Sequence, residues 1–143
     1  MAASAEAGAP ADAVLSVVIV ENHALYRKGL CTQFETDSAI EVIAEFDNAV
    51  EAVRAVPELH PSVVLMDLHL PWTSGARPTC CGAQAITEIR KHWPEANIAV
   101  ITMFGNEERV REALKAGARS YVSKDGDPQE VIQVGRASCR ERV

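Results

Sequence analysis

Four short apolar segments of this chain each run into a residue that can handle a phosphoryl group or a cation. Val63-Val64-Leu65-Met66 runs into Asp67, a carboxylate able to act as a covalent nucleophile. Val17-Val18-Ile19-Val20 runs into Glu21 and Asn22, oxygen donors of the kind hard cations take. Ile98-Ala99-Val100-Ile101 ends at Thr102, a hydroxyl, and Tyr121-Val122-Ser123 ends at Lys124, an ammonium suited to phosphoryl oxygens. For any one of them an ordinary polar strand end is the plain alternative, because single motif matches have a high false-positive rate. All four in this order point to an acid, a nucleophile, a hydroxyl and a lysine on one sheet edge, where open parallel sheets place their chemistry.

The elements that would hold these residues follow from periodicity. Apolar runs predict strands near Val14–Val20, Ile40–Phe46, Ser62–Met66, Ile98–Ile101 and Ser120–Ser123. Between them, apolar residues recur at helical spacing: Leu25, Tyr26, Leu30 and Phe34; Val50, Val53, Ala55 and Val56; Ala85, Ile86 and Ile89; Val110, Ala113 and Leu114. Pro57, Pro61 and Pro94 punctuate the helix ends, and Gly117 is a C-terminal stop. Asp127-Pro128 with Glu130 reads as an N-cap, an N1 proline and a capping-box acid, opening a last helix through Val131–Val134. Strands this apolar are buried on both faces, which predicts a doubly wound parallel sheet of α/β class.

The bulk numbers agree with one such domain. The chain has 143 residues, 48% hydrophobic and 24% charged, so it is globular and can bury a core. A net charge of −6 without a basic stripe argues against free-standing nucleic-acid binding. No apolar run is long enough to span a bilayer, and the Ala-rich start lacks a signal-peptide pattern, so a cytoplasmic location is expected. Residues 1–12 read as a flexible tail, 13–134 as the folded domain, and 135–143 as a linker start or a non-native tail. The cysteines at 31, 80, 81 and 139 match no zinc spacing and read as free thiols in a reducing compartment. The segment 72–82 is longer than a usual βα loop; it either covers Asp67 or is a tolerated surface insertion.

At these residues the chain resembles a bacterial response-regulator receiver domain, of the NarL/FixJ group of two-component transcription factors. The resemblance rests on Val17–His23, on Val63–Pro71, on Thr102 and on Ala116–Asp125, and covers roughly Val14 to Val134. It implies a five-stranded, flavodoxin-like (βα)5 fold with strand order 2-1-3-4-5. It implies Asp67 as phosphoacceptor, Lys124 and Thr102 as its partners, and Thr102 with Tyr121 as the switch pair. It implies a Mg²⁺ site built from Glu21, Asn22, Asp67 and the His69 carbonyl. Partners would be a histidine kinase or a small phosphodonor, a second copy of the chain, and DNA only through an output domain that these residues do not encode. No membrane and no enzymatic turnover are expected.

The chain departs from the family where the metal should sit. Glu21-Asn22 stand in place of the usual pair of aspartates, and Asn22 falls on the direct metal contact, so Mg²⁺ is expected to bind weakly or not at all. Met103 occupies a position where the family favours a small residue. These departures keep open a phosphorylation-independent pseudo-receiver, acting through dimerisation or another ligand. A dehalogenase-type enzyme is disfavoured because His69 stands where a second aspartate is needed. A dinucleotide site fails for want of a glycine-rich turn after the first strand.

Overall fold

The computed structural model describes residues 14–79, 81–103, 107–126, 129–131, 133, 134 and 137. In chain order the elements are β1 (Leu15–Val20), α1 (Ala24–Glu35), β2 (Ile40–Phe46), α2 (Ala49–Leu59), β3 (Val63–Asp67), α3 (Gly82–His92), β4 (Ile98–Thr102), α4 (Glu107–Ala116) and β5 (Ser120–Ser123). All neighbouring strands pair in parallel, in the order β2-β1-β3-β4-β5. The described residues of the final segment, among them Gln129–Val131, are helical.

Period-2 alternation divides the core between the two faces of the sheet. Val17 and Ile19 of β1 join Val63 and Leu65 of β3, packed with Leu30 and Phe34 of α1 and with Val131. Val18 and Val20 join Val64 and Met66 on the other face, packed with Ala52 and Val56 of α2, Ile86 and Ile89 of α3, and Val110 and Ala113 of α4. Both faces being covered, β3 and β4 are buried along their whole length, as their unbroken apolar sequences require.

Local chemistry fixes the helix ends. His23 caps α1, its Nδ1 accepting from the Tyr26 N–H at 3.2 Å, and Asn48 caps α2, its Oδ1 accepting from the Glu51 N–H at 3.0 Å. Gly117 ends α4 with φ 122°, its N–H donating to the Leu114 carbonyl while that of Ala118 reaches Ala113, the paired bonds of a Schellman stop.

Some expectations shift. Asp67 and Thr102 are the last residues of their strands rather than the first residues beyond them. Pro57 lies inside α2, which continues to Leu59. So near the C-terminus, a missing donor removes one helical bond without breaking the helix. In α2 the fully buried residues are Ala49, Ala52 and Val56, because small side chains let the helix approach the sheet; Val50 and Val53 flank that contact. Leu25 is 77% exposed, on the first turn of α1 where the helix overhangs the strand ends. The Asp127-Pro128 cap, the tail 1–12 and, apart from Ala137, the tail 135–143 lie outside the described residues.

Candidate functional site

Parallel pairing brings the strand ends to one edge. Val20 sits opposite Met66, Asp67 opposite Ile101, and Thr102 opposite Ser123, so the residues that follow or end these strands converge. Backbone bonds extend the ladder past the strands: the Glu21 N–H donates to the Phe46 carbonyl at 2.9 Å and the Lys124 N–H to the Thr102 carbonyl at 2.8 Å.

Lys124 is the hub. Its Nζ donates to Glu21 Oε2 at 3.0 Å and lies 3.5 Å from Asp67 Oδ2. The same Nζ sits 4.8 Å from the centre of the Tyr26 ring. Each carboxylate also accepts a backbone N–H two residues on, Glu21 Oε2 from His23 at 2.8 Å and Asp67 Oδ1 from His69 at 3.0 Å. Glu21 is completely buried. Burial, and then the neighbouring Asp67 charge, push its carboxyl up to about 7, against the opposing pull of the His23 N–H and of Lys124.

Glu21, Asn22, Asp67, His69, Thr102 and Lys124 all line one open cavity of about 1040 Å³. Thr102 is buried, and its hydroxyl donates to the Met103 carbonyl at 3.3 Å. Met103 is half-exposed on the cavity rim. Tyr121 is not brought to the cavity; it stands 55% exposed on β5. The long segment after Pro71 begins against α2. Pro71 and Trp72 carbonyls accept from the Ala49 and Val50 N–H groups at 3.0 and 2.8 Å, and Ser74 donates to Asp47 at 3.2 Å. Its start thus completes the N-terminus of α2, and none of its described residues lines the cavity.

The oxygens here suit a hard cation. The carboxylates of Glu21 and Asp67 meet at Lys124, Asn22 and His69 line the same cavity, and Glu21 Oε1 is buried without a hydrogen-bond partner. The residues therefore fit Mg²⁺, which receiver domains generally bind. Among the described residues no group of three or more His, Cys, Asp or Glu side chains is gathered as a metal site, here or elsewhere. Of the cysteines, Cys31 and Cys81 are buried free thiols, and burial pushes the Cys31 thiol up to about 11, away from reactive thiolate. Cys80 and Cys139 lie outside the described residues.

Three residues near the site carried no clear signal in sequence. Tyr26 read as one of a helical apolar set, yet its ring faces Lys124. Arg27 donates to the Glu21 carbonyl at 2.6 Å and pairs with Glu45 at 3.3 Å, tying α1 to the end of β1. Gly82 opens α3 directly beneath the residue after Asp67: a Cβ there would meet Leu68 Cα at 2.7 Å and the Asp67 carbonyl oxygen at 3.1 Å. The Gly82 N–H donates to the Leu68 carbonyl at 3.2 Å, so only glycine lets the helix close on the Asp67 loop.

A doubly wound 2-1-3-4-5 sheet with an acid, an aspartate, a hydroxyl and a lysine at its carboxyl edge defines the receiver class. The response regulator receiver domain family matches residues 17–136, and the chain belongs to it. The chain is similar to the transcriptional regulatory protein YhcZ of Bacillus subtilis (strain 168), 38% identical over 119 residues, covering 83% of this chain and 52% of that protein. It is also similar to the oxygen regulatory protein NreC of Staphylococcus epidermidis, 32% identical over 118 residues, covering 82% and 51%. It thus spans about half the length of the curated relatives it matches. Among solved structures, a LuxR-family two-component response regulator from Aurantimonas sp. superposes with a TM-score of 0.79 at 32% identity, covering 91% of this chain and 88% of that one. The receiver domain of the putative response regulator NarL from Mycobacterium tuberculosis shares the fold, with a TM-score of 0.77 at 23% identity and coverages of 90% and 98%. These relatives are response regulators of the LuxR/NarL type rather than enzymes. No helix among the described residues is long and apolar enough to cross a membrane.

Proposed function

We propose that this chain is the phosphorylation-receiving domain of a cytoplasmic two-component transcription factor, with Asp67 as phosphoacceptor and a weakened Mg²⁺ site. The observation that carries the reading is the convergence of Asp67 with Lys124 and Glu21 on an open cavity. An Asp67 carboxylate oxygen attacks the phosphorus of a phosphohistidine or a small acyl phosphate. The new O–P bond forms as the P–N or P–O bond to the donor breaks, and the leaving imidazole or carboxylate takes the electron pair. Lys124 neutralises phosphoryl oxygens, and Thr102, one strand over, gives up its bond to the Met103 carbonyl to donate to one of them. Tyr121, exposed on β5, follows Thr102 as the responding aromatic. Mg²⁺ bound by Glu21, Asn22, Asp67 and the His69 carbonyl supplies charge neutralisation. Domain limits of 13–134, with 135–143 as linker start or non-native tail, belong to the same reading. Incubation with acetyl phosphate and excess Mg²⁺ is expected to add one phosphoryl group, read by intact mass. A wild-type chain that takes none at any Mg²⁺ level favours the second reading.

That second reading is a pseudo-receiver that works without phosphorylation. Two observations favour it: Asn22 contributes no charge to the cavity, and Lys124 is already engaged by Glu21 at 3.0 Å. Under either reading the chain forms a homodimer, because weak phosphorylation provides little differential energy to shift an assembly. DNA contact would come through an output domain outside these residues, whose half-sites favour two-fold pairing. Sedimentation at tens of micromolar, without Mg²⁺ or phosphodonor, is expected to show dimer. A strictly monomeric chain would count against basal pairing.

A further inference from the structure

Lys124 is held on three sides, and only two of them are carboxylates. Glu21 and Asp67 approach from β1 and β3, and the ring of Tyr26 closes the side toward α1, 4.8 Å from Nζ. The ring's own placement is fixed locally. Tyr26 lies in the first turn of α1, its backbone N–H bound to the His23 cap at 3.2 Å, and its half-buried side chain packs on the Val17–Phe34 core. Burial, aided by the charges of Glu21 and Asp67, pushes the phenol up to about 12, so the face next to Lys124 belongs to a neutral, electron-rich ring. A lysine carries four rotatable bonds, and an ammonium between two carboxylates alone can swing between them and solvent. The ring removes the solvent-facing alternatives.

We propose that Tyr26 is a positioning residue that holds the Lys124 ammonium over Asp67, where an incoming phosphoryl group arrives. The proposal rests on Asp67 being the phosphoacceptor. The ring face carries the effect, and the hydroxyl does not. As Asp67 attacks and the bond to the donor breaks, the ammonium is already in place and no reorganisation precedes transfer.

The test compares Tyr26→Phe and Tyr26→Leu in the full chain. Phosphorylation by acetyl phosphate at saturating Mg²⁺ is followed by intact mass, and the Lys124 ε-methylene protons are observed by NMR. Tyr26→Phe is expected to keep the wild-type rate and the upfield ring-current shift of those protons. Tyr26→Leu keeps apolar bulk and should melt like wild type, yet lose the shift and slow phosphorylation several-fold, up to roughly thirtyfold for a desolvated cation–π pair. A wild-type chain without the ring-current shift overturns the proposal whatever the phosphorylation rate. So does a Tyr26→Leu chain that phosphorylates at the wild-type rate, or a Tyr26→Phe chain as slow as Tyr26→Leu. A wild-type chain that shows the shift but takes no phosphoryl group rejects the phosphoacceptor reading instead, and with it any part for Tyr26 in transfer.

Discussion

Asn22→Asp is expected to tighten Mg²⁺ binding by about tenfold or more, the largest gain any single substitution at this site should give. Tenfold corresponds to about 1.4 kcal/mol, and an added unit charge a few ångströms from a divalent ion provides more than that even in a partly solvated site. Mg²⁺ gives up water reluctantly and does so for carboxylates. Next to Asp67 stand Glu21, whose carboxyl titrates at about 7, and Lys124, bonded to Glu21 and close to Asp67, so the charge around the acceptor is at most a single negative one. Asn22 lines the cavity and contributes no charge. Isothermal titration at constant pH is the measurement. Wild type should fail to saturate below millimolar Mg²⁺, and the variant should saturate well before wild type does. Equal affinities for the two chains would show that residue 22 does not contact the ion.

Glu21→Gln is expected to flatten the pH dependence of stability and to raise stability in mild alkali. Glu21 titrates at about 7 in the folded chain against an ordinary value of 4.5. Below 4.5 the folded and unfolded chains are both protonated here, and the group costs nothing. Between 4.5 and about 7 the unfolded chain releases the proton and the folded chain keeps it, so stability falls as pH rises. Above 7 the whole penalty of burying the charge is present. The shift corresponds to a few kcal/mol, and Gln forfeits the ion pair with Lys124, so a net gain on the order of 1–3 kcal/mol at alkaline pH is expected. Urea denaturation from about pH 5 to 8 without divalent ions reads it. Parallel stability curves for the two chains across that range would mean that Glu21 is not the strained acid.

The sheet edge was legible in sequence because topology alone assembles it. Once Val17–Val20, Val63–Met66, Ile98–Ile101 and Tyr121–Ser123 are parallel neighbours, their carboxyl ends must share an edge, and Glu21, Asp67, Thr102 and Lys124 come with them. Side-chain direction was not legible. Tyr26 and Leu25 are consecutive apolar residues on one helical turn, yet one ring packs on Lys124 and the other side chain projects over the cavity mouth. That difference depends on where α1 starts, which the His23 cap decides. Gly82 was hidden by the long segment before it. Its role depends on α3 returning to within contact of Leu68, and no local pattern encodes that return. The same segment left two readings open; its start is bonded to α2, a contact that no local pattern in its sequence encodes. In α2, Val56 is buried as its periodicity predicts, but Ala49 and Ala52 take the other deep positions in place of Val50 and Val53, because small side chains let the helix approach the sheet.

Everything proposed for this domain depends on Asp67 as the acceptor. The most direct measurement treats the chain with acetyl phosphate and Mg²⁺, reduces the product with borohydride, and maps the peptides by mass spectrometry. Hydride cleaves an aspartyl phosphate to homoserine, which marks the acceptor permanently. With Asp67 as acceptor, homoserine is expected at position 67 and nowhere else, and no mark in Asp67→Asn. A mark at another carboxylate, or an undiminished one in Asp67→Asn, would contradict the assignment.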